Sequence, residues 1–70
     1  MMPLTMVRAG ETTQILKLTG KEETQRHLES LGFVVGGSVT VVSEIGGNMI
    51  VNIKDSRIAI SKSMANRIFV

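Results

Sequence analysis

Hydrophobic and polar positions follow two different periods along this chain, and the change of period divides it into elements. From Gly36 onward the period is two. Val39 and Val41 share one side of a run from Ser38 to Glu44, with Val42 opposite. Met49, Val51 and Ile53 share a face of a second run, Met49 to Lys54, and Ile58 and Ile60 turn inward in a third, Arg57 to Ser61. Alternation of this kind predicts half-buried β-strands. Gly46-Gly47-Asn48 and Asp55-Ser56 supply the connecting turns, because Gly, Asn and Asp tolerate the backbone angles that tight turns demand. Lys62 to Asn66 predicts one short helical turn that packs Met64 and Ala65. Arg67 to Val70 predicts a last short strand around Ile68. Near the start, residues 3–9 read as a lead-in turn anchored by Leu4. A first strand follows from about Thr12 to Leu18, with Ile15, Leu16 and Leu18 as its apolar members.

Between this strand and Gly36 the period lengthens. Thr24, His27, Leu28 and Leu31 are spaced i, i+3, i+4 and i+7, the pattern of one helix face. Thr19-Gly20-Lys21-Glu22 fits a capping box, in which a hydroxyl accepts from the third helical amide and a carboxylate reaches back. Glu22 and Arg26 are four apart in the favourable order for a surface ion pair. The helix is expected to run to Leu31 and to stop at Gly32 in the left-handed conformation. Phe33 then meets Leu28, the contact that accompanies a Schellman ending.

Eight Val, seven Ile and six Thr reinforce the preference for strands. The pattern predicts a mainly β fold: about five short antiparallel strands in a small barrel, as one domain over residues 1–70. One α-helix is expected between the first two strands, covering an open end, and a short helical turn before the last strand. Barrel closure would shield the edge that Val39 to Val42 otherwise exposes to aggregation.

Composition narrows the chemistry. The 70 residues include no Cys, Trp or Tyr, one His and two Phe. Disulfides, thiol catalysis and cysteine-ligated metals are excluded. With 43% hydrophobic residues a core is attainable but thin, and small size favours a binding module over an enzyme. The net charge of +2 is a weak field for phosphates. The apolar stretches are too short to span a bilayer, and Met1 to Leu4 lacks the regions of a signal peptide. A soluble cytosolic protein is the expectation.

No catalytic constellation emerges. Asp55 is the only Asp and sits at a hairpin tip, while Glu22, Glu23 and Glu29 share a helix where salt-bridging solvated faces are usual. His27 is read as a structural histidine on the apolar helix face, with no nucleophile beside it. Glu23 and His27, at i and i+4, are the weak candidates for a metal, since they supply two arms of a site that needs more. Met2 and Met6 are ordinary gap-filling or terminal methionines rather than thioether ligands. The glycines form neither a dinucleotide fingerprint nor a P-loop. Lys54, Arg57 and Lys62, and Lys17, Lys21 and Arg26, make two basic clusters. Acidic neighbours dilute both, and no aromatic platform interleaves them, so nucleic acid is not the expected partner.

The ordered set Leu28-x-x-Leu31-Gly32-Phe33, Gly36, Val39-x-Val41, Gly46-Gly47-Asn48, Ile58-Ala59-Ile60 and Ala65-x-x-Ile68-x-Val70 resembles the FeoA family, ferrous iron transport protein A. The resemblance spans about Leu4 to Val70. It implies an SH3-like barrel. It also implies an accessory or regulatory role in bacterial ferrous iron uptake, with the membrane GTPase-permease, ferrous iron transport protein B, as partner. Similar domains occur at the C-terminus of iron-dependent repressors. Many members carry Pro just before the Gly36 position, where this chain has Val35, which loosens the loop. The family brings no catalytic motif.

Fe²⁺ sites draw on several His and carboxylate ligands. A chain with one His is therefore expected to act by protein–protein contact without a cofactor, and not to hold iron tightly. The candidate contact residues are Phe33, Val34, Val35 and Phe69, and the same surface would serve self-association. The alternatives are a small nucleic-acid-binding barrel, a stand-alone relative of the repressor domain, and, more remotely, a very small enzyme.

Overall fold

The structure is a computed structural model that describes all 70 residues. A 3₁₀ turn at Leu4–Met6 opens the chain. It is followed by β1 (Thr12–Gln14), β2 (Lys17–Leu18), α1 (Glu22–Ser30), β3 (Ser38–Ile45), β4 (Asn48–Ile53), β5 (Ser56–Ser61), α2 (Lys62–Ala65) and β6 (Ile68–Phe69). All strand pairings are antiparallel, in a four-stranded sheet ordered β1-β3-β4-β5 and a separate pair β2-β6.

Six strands replace the expected five because the segment from Thr12 to Leu18 changes partners midway. Thr12 to Gln14 pair with Thr40 to Ser38. Ile15 then donates to Gly37 O and accepts from Gly36 N, and Leu16 donates to Phe69 O. The chain thus leaves β3 and joins β6, turning the corner between the two sheets. The helix lies after β2 and before β3, between the expected first and second strands.

The hairpin β3-β4 turns at Gly46-Gly47, with Gly46 at φ +61°. The next turn is centred on Lys54-Asp55, one residue earlier than expected, with Lys54 at φ 54°. β3 carries a bulge at Val42: Val41 faces Val51 and Ser43 faces Ile50, leaving Val42 without a partner. An extra residue reverses the inside-outside parity. Val39 and Val41 are buried, whereas Ile45 emerges 65% exposed.

Two features of α1 differ from expectation. The helix starts at Glu22 with Lys21 as its N-cap and no capping side chain. Thr19 lies too far upstream to cap, and its hydroxyl donates to Arg67 O instead. Glu22 and Glu23 in the first turn complement the helix dipole. His27 is exposed, not packed: the nine-residue helix buries only Leu28, with Thr24 and Leu31 half-buried beside it. The stripe is too narrow to include His27.

The C-terminal end of α1 follows expectation. Phe33 N donates to Leu28 O at 3.0 Å and Gly32 N to Glu29 O at 2.9 Å, the two bonds of a Schellman motif. Gly32 sits at φ +108°, and a Cβ there would come 3.3 Å from Ile53 Cγ1. Both its angle and its space call for glycine. Glu22 pairs with Arg26, and Glu44 with Lys62.

Fourteen buried residues form one core with no buried polar side chain among them. Leu4 plugs it from the lead-in turn, Leu28 and Phe33 enter from the helix end, and Val39, Val51, Ile53 and Ile68 come from the strands. Ser61 caps α2 by accepting from Met64 N at 3.1 Å, which places Ala65 in the core. No helix is long and apolar enough to cross a membrane.

Candidate docking surface

The six residues singled out by sequence fall in three places. Glu23 and His27 both lie on the exposed side of α1. The His27 carbonyl accepts from Ser30 Oγ and Leu31 N. No group of three His, Cys, Asp or Glu side chains converges anywhere on the molecule, so Glu23 and His27 acquire no third arm from the fold. No pocket indents the surface.

Phe33 is fully buried. Its backbone closes the Schellman motif and its ring fills the core beneath α1, so it has no surface to offer a partner. This corrects its place among the contact candidates. The next two residues leave the core progressively: Val34 is half-buried and Val35 is 63% exposed. The loop is fixed by short-range bonds. Gly37 N donates to Val34 O, and a Cβ on Gly37 would come within 3.1 Å of that same oxygen. Gln14 Nε2 also donates to Gly36 O.

Phe69 occupies the middle of a small three-stranded arrangement. It pairs with Lys17 on one side and bridges to Pro3 on the other. Met2 and Val70 exchange both of their backbone hydrogen bonds. In this arrangement Leu18 and Ile68 point inward and are buried. Alternation therefore turns Lys17 and Phe69 outward, where the ring is half-buried.

Sequence reading missed Leu16. Read only as an apolar member of the first strand, it is 52% exposed and stands at the corner where the strand changes sheets. The Ile15–Gly36 backbone bond brings it beside Val35. Both are exposed apolar residues whose backbones neighbour one another at the rim of the β2-β6 pair, where Leu16 N donates to Phe69 O. The adjacent pair Ile15-Leu16 interrupts the alternation, and the buried positions shift parity from Ile15 to Leu18; period-two patterning says only that one of the pair faces out, not which.

The fold is a small antiparallel barrel with Leu16 and Val35 exposed and Phe69 half-buried at its surface. Residues 2–70 match the FeoA domain model. A curated relative from Methanocaldococcus jannaschii, whose assigned name is Fe(2+) transport protein A, is 30% identical over 70 residues, covering 100% of this chain and 85% of that one. The crystal structure of an iron uptake regulatory protein, FeoA, superposes with a TM-score of 0.88 at 25% identity, over 96% of this chain and 89% of that chain. FeoA of Stenotrophomonas maltophilia complexed with zinc, described as a prokaryotic SH3 domain protein, gives 0.73 at 25% identity, over 99% and 88%. With its fold and nearly its whole length matched, the chain belongs to the FeoA family of ferrous iron transport proteins.

Proposed function

We propose that this protein is a non-enzymatic accessory of ferrous iron uptake, acting as a single unit through contact with the cytosolic part of the ferrous iron permease, ferrous iron transport protein B. The observation that carries the reading is the FeoA match over residues 2–70. The surface supports it. Val35, Leu16 and the half-buried Val34 and Phe69 offer apolar area to a protein, and exposed apolar area of this kind suits protein contact. Glu23 and His27 remain two separate arms on an exposed helix. The chain modulates the transporter and does not carry its cargo.

Two measurements test this. The full chain is expected to co-purify with the cytosolic domain of the permease; absence of binding at high micromolar concentration contradicts the reading. Anaerobic calorimetric titration with Fe²⁺ or Mn²⁺ is expected to give no stoichiometric tight site. A submicromolar one-to-one isotherm abolished by His27→Ala would instead make the chain an iron carrier.

A further inference from the structure

Two cations of this molecule stand apart from its carboxylates along the sequence. Of the eight Lys and Arg residues, Arg26 and Lys62 are ion-paired. Arg8, Lys21, Lys54 and Arg57 each have a carboxylate within three positions along the chain: Glu11, Glu22 and, for the last two, Asp55. Lys17 and Arg67 have neither an ion pair nor an acidic side chain within three positions.

The fold brings these two cations to one face. Lys17 is the cross-strand partner of Phe69. Arg67 lies opposite Thr19, whose amide and hydroxyl both donate to its carbonyl. The Arg67 stem runs over Gly20, where a Cβ would sit 3.4 Å from its Cδ. Because Leu18 and Ile68 fill the inner face, Lys17, Arg67 and Phe69 share the outer one. The three backbone segments that build it, residues 1–6, 15–20 and 66–70, contain no Asp or Glu. On the adjacent helix, Glu22 is committed to Arg26, and Glu23 makes no ion pair with Arg67. Leu16 and Val35 border this face as exposed apolar residues.

We propose that this face docks an acidic protein segment carrying an apolar anchor: the anchor contacts Phe69 and the Leu16–Val35 rim, while carboxylates meet Lys17 and Arg67. The proposal rests on the protein-contact reading above, on which the segment belongs to the permease. Charge complementarity selects the occupant. A second copy docked through the same face would set like charges against each other, which is costly across an interface. A nucleic acid would find one half-buried ring in place of a stacking platform. An aromatic side chain on one face with two cations is the composition of an interface anchor.

The test measures affinity of the full-length protein for the permease cytosolic domain, with phosphatidylserine vesicles and single-stranded RNA as parallel arms. Lys17→Glu with Arg67→Glu is expected to weaken permease binding about tenfold or more, and added salt to weaken the wild type. Lys54→Glu with Arg57→Glu, at the β4-β5 turn and outside the β2-β6 pair, is expected to bind as wild type. Lys17 is exposed, so Lys17→Glu alone guards against a folding artefact, with thermal melting as the check. If the wild type binds and Lys17→Glu with Arg67→Glu binds equally well, this docking face is overturned while the protein-contact reading stands. If the wild type does not bind the permease domain, that reading fails and this proposal fails with it. Charge-sensitive binding only to vesicles or RNA would likewise overturn the acidic-protein assignment.

Discussion

Phe33 and Val35 stand two positions apart and meet opposite environments. The Schellman motif turns the chain so that Phe33 enters the core beneath Leu28, and the backbone then runs outward to leave Val35 in solvent. Truncating a buried aromatic removes its transfer free energy and leaves a cavity. Phe33→Ala is therefore expected to cost about 3–5 kcal/mol, a large part of the total for so small a domain. Val35→Ala is expected to change stability by no more than ~0.5 kcal/mol. Urea denaturation of both variants checks the contrast; equal losses would contradict the assignment of Val35 to the surface. The turn that buries Phe33 was legible in the spacing of Leu28, Gly32 and Phe33, because a Schellman ending is local chemistry. Which of the contact candidates Phe33, Val34 and Val35 reaches solvent was not, because residues after a helix stop have no periodic neighbours to place them.

At the scale of elements, legibility follows the range of the forces involved. The alternation in β4 is local and was readable: Met49, Val51 and Ile53 are all buried. The start of α1 was misplaced because Thr19 is held by Arg67 from the far end of the chain, and that competition is invisible to a local capping pattern. The bulge at Val42 is likewise set by cross-strand register rather than by composition. Ser61, by contrast, caps α2 through a local bond to Met64 N. Replacing Ser61 by Ala is expected to cost about 1 kcal/mol. The same change at Thr19 is expected not to shorten α1, since Lys21 is the N-cap. Amide hydrogen exchange along both helices distinguishes the two cases: faster exchange in the first turn of α1 on Thr19→Ala would restore the capping box.

For the whole molecule, closure is the decisive event. The four-stranded sheet contains β1, β3, β4 and β5, and the second sheet joins β2 near the start to β6 at the end, with Met2 and Val70 bonded beside them. Ile68, fully buried, arrives only with β6. Truncation after Asn66 is expected to abolish cooperative thermal unfolding; retention of a sharp transition in circular dichroism would show that the main sheet is stable without closure. A barrel with one helix was foreseeable from the strand count and the β-branched content. The division into two sheets was not, because nothing local in Thr12 to Leu18 says that Gln14 pairs with Ser38 and Lys17 with Phe69. The same division creates the candidate site, since the corner exposes Leu16 and the closing pair aligns Lys17, Phe69 and Arg67.

On the proposed reading, this FeoA-family protein works by presenting that closing face to a protein partner. The most direct test is a chemical-shift map of the isotope-labelled full chain titrated with the permease cytosolic domain. Shifts are expected to concentrate at Leu16, Lys17, Val35, Arg67 and Phe69, leaving Glu23, His27 and the Gly46-Gly47 hairpin unchanged. Shifts centred on the outer side of α1 or on that hairpin, or no shifts at saturating partner, would contradict it.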